Sequence, residues 1–180
     1  MKKILAFFLA LGLTGGFCGA LPCSVLGAAP QAKKAGAPKL REMGGQKVSC
    51  DYFELTIPKG WSMPVPIKKM PEGVSALFGI MKGDLAVTLN VMKIDVSAKE
   101  MAEQTLANMR KGGLTAGEPT EKDGIWYADI TGKAKGLACF GAADGLASAC
   151  VIVGTEPQRA NELLSAIQSS HKGLFPTRLD

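Results

Sequence analysis

The chain has 180 residues, with 21 Lys plus Arg against 16 Asp plus Glu, one His, a net charge of +5 and 47% hydrophobic residues. That length suits one domain with one core, and a single imidazole excludes any site built on a His pair. The basic surplus is local: residues 30–47 hold five Lys or Arg and one Glu, while residues 48–180 hold 14 against 15, so the part long enough to fold lacks the basic face that nucleic-acid binding needs.

In chain order, Lys2 and Lys3 precede an uncharged apolar run over residues 4–13, and small residues follow at Gly27, Ala28 and Ala29. This is the pattern of a secretory signal peptide, residues 1–28, with cleavage expected after Ala28. It predicts a periplasmic or secreted protein. Gly12, Gly15, Gly16, Gly19 and Pro22 interrupt the run, which falls short of the ~20 apolar residues of a spanning helix, so no transmembrane anchor is expected in the mature form. A lipid anchor is not expected either, because Cys18 follows Phe17 and Cys23 follows Pro22, where a lipidation site carries a small residue. Loss of two lysines leaves 19 Lys plus Arg against 16 acids, a mature charge of +3. Residues 29–47 read as a disordered tether, with lysines spread among Gly, Ala, Pro and Gln.

A single α+β domain is expected over residues 48–180. Phe53, Leu55 and Ile57 alternate with Glu54 and Thr56, the period of a half-buried strand, and Pro58 with Gly60 ends it. Pro64, Pro66 and Pro71 then forbid regular structure over residues 62–73. Residues 75–81 and 85–94 flank the turn cluster Lys82, Gly83 and Asp84 as a hairpin. Ser97 and Glu100 form a capping-box signature for a helix whose stripe is Met101, Ala102, Thr105, Leu106 and Met109, stopped at Gly112 and Gly113. Asp123 and Gly124 introduce a strand at 125–131, Gly132 to Gly136 turn it into 137–142, and Asp144 with Gly145 turns that into 146–153. Thr155 and Gln158 repeat the capping pattern ahead of Ala160, Leu163, Leu164 and Ile167, the stripe of a last helix. The expected architecture is a mainly antiparallel six-stranded sheet packed against two helices, an α/β/α sandwich.

The strand ending in Pro58, Gly60 and Trp61, the hairpin, the capped helix, the Asp123–Gly124 strand and the Asp144–Gly145 hairpin before a final helix resemble the PsbP-like family, nearest to its DcrB-like envelope proteins. The likeness spans about residues 50–170 as an order of elements. It implies the PsbP-like fold and a binding role, and within it Trp61 plugs the core behind the first strand. This chain departs from the lipoprotein members of that family in lacking a lipidation site.

Candidate chemistry is sparse. His171 follows the last helix, where a cation favours the helix end, and no nucleophile in sequence is paired with it. Glu118, Glu121 and Asp123 share one loop without apolar neighbours to raise a carboxyl pKa, and they read as a solvated turn. Met43, Met63 and Met70 suggest thioether copper binding, but their spacing matches no compact ligand motif and Met is ordinary core filling. No metal, cofactor or catalytic residue is assigned. Cys139 and Cys150 sit equally far from the Asp144–Gly145 turn, so they are cross-strand neighbours and an expected disulfide, with Cys50 the odd thiol. The expected function is a non-catalytic envelope module that docks an envelope protein through Met63, Val65, Ile67 and Met70. The alternatives are a small-ligand or metal carrier, or an enzyme whose carboxylates converge only in space.

Overall fold

The computed structural model describes residues 40–64, 75–132 and 134–180. Among the described residues, twelve strands form two sheets in which every pairing is antiparallel. β1 (Leu40–Glu42), β4 (Ser62–Pro64), β5 (Ser75–Lys82), β6 (Leu85–Lys93), β11 (Leu146–Val153), β10 (Gly136–Ala143), β9 (Ile125–Thr131) and β7 (Thr115–Ala116) lie side by side in that order. β8 (Thr120–Lys122) also pairs with β9, making nine strands. A second sheet contains β12 (Ile167–Gln168), β3 (Glu54–Thr56) and β2 (Lys47–Ser49). The sheet is therefore larger than the six strands expected, because the short pieces β1, β4, β7 and β8 have too few residues to show alternation.

The central strands β6, β11 and β10 are covered on both faces, which explains their nearly unbroken apolar sequences. Leu85, Val87, Leu89, Cys139, Cys150 and Ile152 face one core, where Phe53, Leu55 and Ile57 of the small sheet meet them. Ala86, Ala138, Phe140, Ala147, Ala149 and Val151 face the other core, beneath α1 (Ala98–Lys111). Phe53 sits edge-on to Phe78 and Phe175, with ring centroids 6.4 and 5.5 Å apart, and joins the small sheet to the large one.

α1 has the ends its sequence predicts. The Ser97 hydroxyl accepts from the Glu100 amide, and the Glu100 carboxylate accepts from the Ser97 amide. At the other end Gly113 takes φ +83°, its amide bonding to the Arg110 carbonyl and that of Leu114 to the Met109 carbonyl. Met101, Ala102, Leu106 and Met109 form the buried stripe.

The last helix differs from expectation. It is a 3-10 turn (Pro157–Ala160) followed by one turn of α-helix, α2 (Asn161–Leu164). Thr155 does not cap it; its hydroxyl donates to Asp84. Ile167 leaves the helix to pair with Leu55. The apolar stripe is nevertheless buried through Ala160, Leu163 and Leu164. One face of the large sheet thus carries α1, and the other carries the small sheet, these short turns and the C-terminal segment.

The expected tether also gives way at its end. Leu40, Arg41 and Glu42 pair with Pro64, Met63 and Ser62, and Met43 is buried. The folded domain reaches back to Leu40 because Met43 enters the core; residues 29–39 lie outside the described residues. Among the described residues no helix is long and apolar enough to cross a membrane.

Candidate functional site

The corner after β3 is the most tightly specified part of the surface. Pro58 ends the strand and Gly60 takes φ +84°, a turn held by Glu42, whose carboxylate accepts from the amides of Gly60 and Gly44. Trp61, fully buried, follows as the expected plug. An indole buried this deeply needs an acceptor, and its Nε1 donates to Glu162 on α2 at 2.8 Å. Lys82, at the end of β5, pairs with the same carboxylate. Burial alone would raise the Glu162 pKa, but the Lys82 ammonium and the Trp61 N–H outweigh it and hold the carboxyl below its ordinary range. Three elements distant in sequence are thereby locked at one point.

Of the four residues expected to contact a partner, Met63 lies in β4, opposite Arg41, half-buried against the core. It is a strand residue and not part of a loop. Val65, Ile67 and Met70 lie outside the described residues. Beside Met63, β1 forms one end of the sheet order, and its Leu40 is 47% exposed. Glu42, Lys82, Glu162 and the β1 strand escaped the sequence reading. The only signal available was the need of a buried Trp for an acceptor, which does not say where that acceptor sits.

Cys139 and Cys150 face each other in the register derived from the Asp144–Gly145 turn. Both are fully buried, with Tyr127 beside Cys139 on β9 and Leu89 beside Cys150 on β6. The structure holds them as two thiols and not as the expected cystine. Counting from the two-residue turn, this is a hydrogen-bonded pair, whose opposed Cα atoms stand ~5.5 Å apart, within the span of a disulfide. The Cys150 sulfur, and then burial, push the Cys139 thiol well above its usual pKa. Burial first, and then the neighbouring Cys139, raise the Tyr127 phenol. A buried thiol raised in this way, as Cys139 is, is not poised as a nucleophile. Cys50 is half-buried and its thiol reaches the Phe53 carbonyl at 3.7 Å.

The remaining candidates each have a local occupation. Glu118 pairs with Arg110 at 3.0 Å, and Glu121 accepts from the Gly124 amide. Asp123 takes φ +53° in the β8–β9 turn. All three are exposed. His171 does not cap a helix; its Nδ1 lies 2.8 Å from Asp144, the turn residue between β10 and β11. Among the described residues no three His, Cys, Asp or Glu side chains converge as a metal site would require.

These elements define an antiparallel α+β sandwich with one long helix. No protein-family model matches the chain, and no curated protein does. Among solved structures it is similar to the solution structure of cyanobacterial PsbP (CyanoP) from Synechocystis sp. PCC 6803, at 15% identity and a TM-score of 0.42, over 80% of this chain and 98% of that one.

Proposed function

We propose that this is an exported, non-catalytic envelope protein that docks a protein partner through Met63, Val65, Ile67 and Met70 and the neighbouring strand β1. Export rests on Lys2, Lys3 and the apolar run ending in small residues. Membership of the PsbP-like family, and within it the DcrB-like envelope proteins, is part of the same proposal, supported by the Pro58, Gly60, Trp61 corner and the order of elements. The observation that carries the docking reading is the edge itself. Among the described residues β1 is the last strand at its end of the sheet, with Leu40 exposed near Met63, and the Trp61–Glu162–Lys82 lock holds the adjoining corner rigid. An exposed edge strand is a template for another chain, and a rigid mount lowers the ordering cost of binding. The non-catalytic reading is supported by the engagement of Glu118, Glu121, Asp123 and His171 in turns and surface pairs.

Capture from the envelope fraction with the mature protein tests this. A discrete partner retained by the wild type should be lost with Leu40→Lys and with Ile67→Ser plus Met70→Ser. For Leu40→Lys, at an exposed position, thermal stability should stay within about 1 kcal/mol. Retention of the partner by these variants overturns the docking site. A turnover abolished by Glu118→Gln or Glu121→Gln overturns the non-catalytic reading.

A further inference from the structure

Where the chain folds back after β12, residues 164–177 enclose a cleft of about 220 Å³. Its apolar lining is Leu164, Ile167, Phe175 and Pro176, and His171, Lys172 and Thr177 are among its polar groups, with no Asp or Glu in the lining. We infer that this cleft binds a small organic anion with a short apolar tail, of the size of a six-carbon carboxylate.

Size sets the upper limit. At about 220 Å³ the cleft falls below the ~300 Å³ at which drug-sized sites begin, so only a small molecule fits. Charge sets the sign. His171 is tied through Nδ1 to Asp144, which leaves Nε2 as the ring's other polar atom. Lys172 is exposed and has no ion pair among the described residues, and the Thr177 hydroxyl has no hydrogen-bond partner among them. A carboxylate can take hydrogen bonds from the Lys172 ammonium and the Thr177 hydroxyl while its tail covers the apolar wall.

The cleft is held open by contacts from several directions. Asp144 fixes His171, the Ser148 hydroxyl donates to the Leu174 carbonyl, and Asn161 both donates to and accepts from the Leu179 backbone. The Ser169 hydroxyl donates to the Tyr52 carbonyl while accepting from the His171 amide. Walls tied in this way need little reordering when a ligand enters.

Amide-resolved NMR titration of the mature protein with hexanoate, hexylammonium and inorganic phosphate tests the inference. Hexanoate should produce saturable shifts confined to residues 164–177, at about millimolar affinity for so small a ligand. Hexylammonium should produce none, and phosphate should bind more weakly than hexanoate. Lys172→Gln, an exposed change that leaves the wall packing intact, should weaken hexanoate about tenfold, the worth of one charge-assisted hydrogen bond. Shifts that fail to saturate, an equal response to hexylammonium, phosphate binding as tight as hexanoate, or unchanged affinity in Lys172→Gln would each overturn it.

Discussion

Glu162 shows how one side chain can set the surroundings of two others. Its carboxylate receives the Trp61 indole N–H and the Lys82 ammonium on one oxygen, and both interactions are stronger with the ionised form. The folded protein holds this carboxyl below its ordinary pKa. A depressed folded-state pKa contributes stability that is present above the unfolded glutamate value, near 4.3, and is lost as pH falls through the folded value. Asp84 and Glu100 are depressed as well, by Arg159 and Ser97 respectively, and titrate in the same acidic window. A difference measurement is therefore needed. Urea midpoints of wild type and Glu162→Gln, compared from pH 6 down to about pH 3, should converge as the wild type loses its advantage. A gap independent of pH would assign the contribution of Glu162 to packing instead of charge.

At the scale of elements, α1 offers the cleanest test because both its ends are closed by local bonds. Ser97→Ala removes the acceptor for the Glu100 amide and should cost about 1 kcal/mol in a denaturant titration, without altering the sheet. The β10–β11 hairpin makes a second prediction. Asp144 and Gly145 take φ +53° and +75°, the two left-handed residues of a type I′ turn, and this fixes Cys139 opposite Cys150. In an oxidising compartment these thiols should form a bond, stabilising the domain by about 2–3 kcal/mol. Thiol counting on the exported, denatured, non-reduced protein should find one free cysteine; three would show that the pair remains reduced.

What the residues disclosed at this scale follows from the range of each signal. The Ser97 cap, the Gly113 stop and the Asp144–Gly145 turn are chemistry within a few positions, so register and helix bounds were readable. β1, β8 and β12 were not, because two or three residues show no period and pair only through partners remote in the chain. Thr155 misled for a related reason: its hydroxyl has two possible uses, and Asp84, remote in sequence, took it. The candidate contact site was legible only as a proline-rich apolar stretch. That Met63 belongs to a strand, with Leu40 beside it, depends on a pairing across 22 positions.

The whole molecule depends on a segment that contributes no strand. Leu174 and Leu179 are buried in the core between the sheets, and Phe175 packs on Phe53. The carbonyls of Gly173 and Leu174 pass so close over Gly141 that any Cβ there would strike them. Gly141→Ala should therefore lift this strap and cost about 2–3 kcal/mol, the scale of an overpacked core, measured as a fall in thermal midpoint. An unchanged midpoint would mean that the strap sits above the sheet without bearing on it.

Because Leu174, Phe175 and Leu179 follow all twelve strands in sequence, the core between the two sheets is completed only when the strap has arrived. A chain emerging from its N-terminus can form hairpins early, yet it stays unsealed on one side until nearly all of it is available. The order of residues thus makes the sealing of this core a late event for a chain that emerges from its N-terminus.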